Sequence, residues 1–194
     1  DDDSSTDDDD SAPDDDDDSW LPSDVDTIVI AGDSWAFGSV GSTLAGLAAW
    51  GYGDIALNWQ NTAVVDSQAA EWAANTNSLL DTLGAEIDGS FSGRPSADVL
   101  LLYLGANDLN TALLNGLGPS PDSALDLALD TIEADLEAIV LYARGLVPDL
   151  QIVLVDYAYF HFEWFTTFYA LPLDVADTLE YNEALTALGQ RKLD

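Results

Sequence analysis

The sequence has no cysteine and no methionine, a single histidine, and only four lysines and arginines against 37 acidic residues, a formal net charge of −33 over 194 residues. Each shortage removes a class of protein. Without cysteine there is no disulfide scaffold, thiolate zinc site or cysteine nucleophile, although the compartment stays open. A polyanion of this density is repelled by phosphate backbones, so nucleic acid is not an expected partner. Anionic membrane surfaces are disfavoured by the same repulsion. No apolar run reaches the roughly 18 residues that a spanning helix needs, so no membrane span is expected. No basic segment followed by an apolar one opens the chain. A chain that begins DDDSSTDDDD is not a translation start, and its C-terminus breaks off in mid-pattern. It reads as an internal piece of a longer product.

The charge is unevenly spread. Twelve of the 37 acids lie in residues 1–18, leaving 25 acids against four bases, net −21, in the remainder. Residues 1–18 contain one apolar side chain, Ala12, and cannot bury surface to offset chain entropy. They are expected to be disordered and extended by self-repulsion. A calcium loop would need spaced ligands and a glycine at its sharp turn, and this segment has no glycine. Residues 1–19 are therefore assigned as an acidic Asp/Ser tether and residues 20–194 as one domain, rich enough in apolar residues to bury a single core. The tether resembles the spacers behind the lipid anchor of bacterial envelope lipoproteins, which implies an extracellular or envelope-attached protein. The acidic body, with one lysine in the whole chain, resembles haloadapted proteins whose surfaces need salt to screen self-repulsion.

Short apolar runs alternate with longer amphipathic stretches. Thr27–Ala31, Asp98–Leu104 and Gln151–Val155 are near-continuous apolar runs, and Ile55–Asn58 is a weaker fourth. Such runs suit strands buried on both faces of a parallel sheet. Between them, residues 67–83 place Ala69, Trp72, Ala73, Thr76, Leu79, Leu80 and Leu83 on one helical face. Residues 121–144 repeat the spacing with Leu125, Leu129, Ile132, Leu136, Ile139, Val140 and Ala143, opened by Ser120-Pro121-Asp122 and stopped by Gly145 and Pro148. Residues 175–193 form the last helix. The alternation predicts a three-layer α/β/α fold with a mostly parallel sheet, its ligand beyond the carboxyl ends of the strands.

Two strand ends carry polar, turn-forming residues. Gly32-Asp33-Ser34-Trp35 follows the first run, placing Ser34 at a strand-to-helix turn where free backbone N–H groups favour developing negative charge. That siting suits a serine nucleophile, and it equally suits Asp33 and Ser34 as helix caps. Gly105-Ala106-Asn107-Asp108 follows the third run, where an Asn amide can donate to an oxyanion or close an Asx turn.

Together these residues resemble the SGNH (GDSL-type) hydrolase family, serine esterases and acylhydrolases on a flavodoxin-like sheet. Gly32-Asp33-Ser34 matches the family's first block and Gly105–Asp108 its third. Asn61–Trp72 is similar to the stretch leading into the second helix. The resemblance spans about residues 25–194 and implies that Ser34 is the nucleophile. It implies Asn107 and the backbone N–H of Ser34 as oxyanion donors. Gly32, Asp33, Gly105 and Asp108 would shape the site, with Asp108 fixing its loop. Neither metal nor organic cofactor is implied.

The sequence departs from the family in two places. Where the second block supplies a glycine N–H to the oxyanion hole, this chain has Asp66, which keeps the N–H and tolerates left-handed backbone but brings a carboxylate. Alternatively Asp66 caps a helix from Ser67 and faces solvent. The fourth block, Asp-x-x-His, is absent, so the catalytic His and Asp and the final strand are expected in a following segment. The chain alone is then expected to be inactive, with an open sheet edge. His161, the only histidine, sits in an aromatic stretch from Tyr157 to Tyr169 and is a candidate substrate contact; those rings could line a pocket or pack a core. The expected activity is hydrolysis of carboxylic esters (short acyl, acetyl-glycan or lipid) through a Ser34 acyl-enzyme. The alternative is a catalytically degenerate module that binds acyl or glycan groups without turnover.

Overall fold

The structure is a computed structural model that describes residues 25–114, 121–157 and 175–193. Its strands are β1 (Thr27–Gly32), β2 (Ala56–Asn58), β3 (Val99–Tyr103) and β4 (Gln151–Leu154), all parallel, in the order β2-β1-β3-β4. The helices are α1 (Ser34–Ala49), α2 (Ala69–Ala73), α3 (Leu79–Ile87), α4 (Ala106–Leu114), α5 (Pro121–Leu146) and α6 (Val175–Leu193). The two strands that end in the polar turns, β1 and β3, are central neighbours, and every residue of β1 is buried. Because side chains alternate across a strand, β1 and β3 feed two cores. Ile28, Ile30, Val99 and Leu101 pack under α1, through Ala36, Val40 and Leu47. Val29, Leu100, Leu102 and Leu104 meet Trp72, Leu83, Ile132, Ile139 and Leu188 of the helices on the other face. The layers are thus α/β/α as the alternation predicts. Among the described residues α1 is the one helix on its side.

The helix expected over residues 67–83 is two helices. Asn75, Asn77 and Ser78 adopt left-handed backbone angles that break it, with a 3-10 turn at Thr76–Ser78. The Asn75 side chain then accepts from the Leu80 and Asp81 N–H groups (2.9 and 3.1 Å), capping α3. The apolar spacing continues across the break because both pieces pack on one core, which is why the pattern reads as a single helix. Asp98 ties the sheet together at its amino end, its carboxylate accepting from the Asp26 and Thr27 N–H groups (2.8 and 2.9 Å).

Candidate active site

The first turn beyond β1 is steeply constrained. Gly32 has φ +133°, and a Cβ there would collide with the Tyr103 carbonyl oxygen of β3, so only glycine lets the two central strands close at this point. Asp33 follows in extended conformation as the N-cap of α1, one carboxylate oxygen accepting from the Trp35 N–H at 2.8 Å. Ser34 is half-buried and is the first residue of α1, where backbone N–H groups have no acceptor within the helix.

Two other segments are hydrogen-bonded to this turn. The segment after β2 lies along the end of β1. Thr62 Oγ1 donates to the Ile30 carbonyl (2.6 Å), the Gly32 N–H to the Thr62 carbonyl (2.8 Å), and the Val64 N–H to the Gly32 carbonyl (2.7 Å). It leads to Asp66, exposed with φ +65°, and to buried Ser67, whose hydroxyl donates to the Gly32 carbonyl at 3.4 Å and accepts from Trp72 Nε1 at 2.9 Å. The β3–α4 turn then joins both. Asn107 Nδ2 donates to the Ser67 carbonyl at 3.0 Å, and the Asp108 carboxylate accepts from the Ala69 N–H at 2.9 Å and more weakly from Ala70 at 3.4 Å. Gly105, at φ +113°, has a backbone conformation that side chains rarely adopt, and a Cβ there would also displace the end of Leu188, 2.9 Å away at Cδ2. The alternative of Asp66 as a helix cap is corrected: α2 begins at Ala69 with Gln68 as its N-cap, and Asp108 reaches across to its free N–H groups. Asp66 occupies the left-handed region that glycine adopts most readily and that Asp tolerates.

The structure therefore gathers Gly32, Asp33, Ser34, Asp66, Gly105, Asn107 and Asp108 at the carboxyl end of β1 and β3. His161 and the aromatic stretch after Tyr157 lie outside the described residues. Tyr157 itself is buried. Its hydroxyl donates to the second Asp33 carboxylate oxygen at 2.7 Å, and its ring meets Trp35 edge-on at 5.9 Å between centroids. Lys192 of α6 donates to the Val155 carbonyl at 2.9 Å and lies 4.7 Å from the centre of that ring.

Burial dominates the electrostatics here. It raises the Asp33 carboxyl above its ordinary value, opposed by the bonds from Tyr157 and Trp35 and by the Lys192 charge. It raises Asp108 likewise, opposed by the Ala69 and Ala70 N–H groups. Burial, with the Asp33 charge, pushes Tyr157 well up and Tyr181 up to about 12, and burial pushes Lys192 down to about 8 against the pull of Asp156 and Asp33. The sequence singled out Tyr157 as an aromatic for pocket or core, and it packs in the core. The partners of Tyr157, Lys192 and the Ser67 hydroxyl were not identifiable from sequence, because they are 124, 37 and 35 positions away and no local spacing marks them. Among the described residues, no group of three or more His, Cys, Asp or Glu is placed to hold a metal ion, and no helix is long and apolar enough to cross a membrane.

No family model and no curated protein sequence matches the chain. Solved structures do. The chain is similar to the lipase Lip_vut3 from a goat rumen metagenome, with a TM-score of 0.52 and 10% identity over 87% of this chain and 74% of that one. It is also similar to the acetyl xylan esterase AlAXEase (TM-score 0.45, 14% identity, 87% and 74%) and to the lipase/acylhydrolase from Enterococcus faecalis (TM-score 0.43, 17%, 87% and 73%). The likeness to Lip_vut3 is one of fold. Four parallel strands between helices, with the two polar turns at adjacent central strand ends, give the α/β/α architecture that the alternation of apolar runs predicts.

Proposed function

We propose that the protein is a serine hydrolase of carboxylic esters of the SGNH type, with Ser34 as nucleophile. The observation that carries this reading is the hydrogen-bonded meeting of three segments, Gly32–Ser34, Asp66-Ser67 and Asn107-Asp108, at the carboxyl ends of the central strands. The lipases and esterases among the similar structures agree with ester hydrolysis in general. Ser34 Oγ attacks the ester carbonyl, and its proton passes to an imidazole, since the serine alone is a weak nucleophile. The described residues contain no histidine. The tetrahedral oxyanion is met by the backbone N–H of Ser34 and by Asn107. One N–H of the Asn107 amide is held by the Ser67 carbonyl, which fixes its plane and leaves the second N–H for the oxyanion. The Asp66 N–H is the third donor, and its exposed carboxylate is screened by water. No cofactor enters the reaction. The acidic segment 1–18 supports a secreted or envelope-attached location.

The test is p-nitrophenyl acetate turnover by the whole gene product. Ser34→Ala should reduce it at least about a thousandfold and Asn107→Ala about a hundredfold. Turnover that survives Ser34→Ala would sink the proposal. An intact protein that binds acetyl esters and never cleaves them is the degenerate module instead.

A further inference from the structure

The two sides of the Ser34 turn differ. Toward β4, Trp35 is paired with buried Tyr157. Toward β2, Phe37 is 53% exposed and meets the half-buried Trp59 edge-on, with centroids 5.6 Å apart and planes at 72°. Phe37 stands three residues beyond Ser34 on the same helix, which puts their Cβ atoms about 5–6 Å apart. Trp59 opens the segment that is hydrogen-bonded to Gly32, its carbonyl accepting from the Thr62 and Ala63 N–H groups at 3.1 and 2.9 Å. In that same segment Val65 is 55% exposed, next to exposed Asp66, and Gln60 is exposed as well.

From this juxtaposition we propose that Phe37 and Trp59 form an aromatic corner that binds a neutral sugar ring beside Ser34, so that the ester cleaved is an O-acyl group on an uncharged polysaccharide. The proposal rests on the ester-hydrolase reading and names its substrate class. Three features of the site favour a sugar over a fatty chain. Among the described residues the corner is open to solvent, whereas an acyl chain is stabilised when a slot encloses it on all sides. The segment that Trp59 opens also exposes polar groups, the Gln60 amide, which both donates and accepts, and the Asp66 carboxylate, which accepts from hydroxyls, beside Val65. A sugar ring presents an apolar C–H face to an aromatic plane and hydroxyls around its edge, and the corner offers the complement of both. The net charge of −33 disfavours the approach of anionic substrates such as uronates and acidic phospholipids.

The experiment separates binding from turnover. The Ser34→Ala chain is titrated, by calorimetry and tryptophan fluorescence, with partially O-acetylated oligosaccharides of xylan and of glucomannan. Saturable binding is expected, with the dissociation constant raised about tenfold by Phe37→Ala, and by Trp59→Leu, and largely restored by Phe37→Tyr. Phe37 is exposed, so its variants should keep the parent circular dichroism, and Phe37→Ala is the deciding one. No saturable binding to either oligosaccharide, equal binding by Phe37→Ala, or displacement of the oligosaccharide by p-nitrophenyl octanoate would overturn the aromatic corner while leaving ester hydrolysis standing. Binding that depends on Phe37 in a gene product that cleaves no ester would keep the corner as a carbohydrate-binding surface and remove the hydrolase reading.

Discussion

The carboxylate of Asp33 has no solvent exposure, and its two oxygens are held from opposite directions, by the Trp35 N–H on its own helix and by the Tyr157 hydroxyl from beyond β4. The residue that caps α1 is therefore also the link to the far side of the sheet. Tyr157→Phe removes one of those donors and leaves a buried carboxylate oxygen short of a partner, at a cost of about 1–3 kcal/mol. Loss of that bond also removes an influence that lowers the Asp33 carboxyl, so it should rise further. The destabilisation is then expected to shrink as pH falls and Asp33 becomes protonated. Urea denaturation at pH 7 and pH 5 checks both parts, and an unchanged midpoint at pH 7 would contradict them. Ser34, Asn107 and Asp108 were legible as candidates because turn chemistry is local. The partners of the last two, the Ser67 carbonyl that accepts from Asn107 and the Ala69 N–H that donates to Asp108 from 39 positions away, were not.

At the scale of elements, the strands were readable because a strand buried on both faces leaves a near-continuous apolar run, as in Val99–Leu102. Helix α5 was readable from its three-and-four spacing, and Leu129, Ile132, Leu136, Ile139 and Ala143 are its buried face. The break between α2 and α3 was not, because it is made by left-handed angles at Asn75, Asn77 and Ser78 that leave the apolar face in phase. Helix α1 is weakened by glycine. Gly38 and Gly41 lie on its exposed side, and a Cβ added at either would meet nothing within 4 Å. Alanine at each is expected to stabilise the protein by about 0.5–1 kcal/mol through helix propensity alone. Thermal denaturation of Gly38→Ala and Gly41→Ala measures this, and destabilisation by either would show that the glycines serve a contact.

For the molecule as a whole, charge sets the response to pH and salt. Asp33, Asp108 and Asp135 have carboxyls raised by burial, so between the usual carboxylate range and their raised values the folded chain binds more protons than the unfolded one. Their contribution to stability grows as pH falls through that window and is lost as pH rises through it. Relief of self-repulsion in a chain of net charge −33 acts in the same direction. Lys192, pushed down to about 8, acts above this window, its burial penalty easing as pH climbs from there toward the ordinary lysine value. The Tm is therefore expected to be higher at pH 5 than at pH 7 in low salt, with 2 M sodium chloride raising the pH 7 value and narrowing the gap. Calorimetry over that grid checks it. A Tm at pH 7 that stays flat from 0.1 to 2 M chloride would argue against a salt-adapted surface.

What the sequence determined by itself was whatever depends on neighbours a few residues apart: the apolar runs and helical faces, the acidic segment, and the glycine and capping chemistry at Gly32–Ser34 and Gly105–Asp108. What only the tertiary structure decided was which of these distant pieces meet. The Asp33–Tyr157 bond, Asn107 on Ser67, Asp108 on α2 and the Phe37–Trp59 corner all join segments far apart in the chain. The reason is physical. Periodicity and turn preference are local free energies written in adjacent side chains, whereas these contacts arise only after three parallel crossovers bring the carboxyl ends of β2, β1, β3 and β4 to one edge of the sheet.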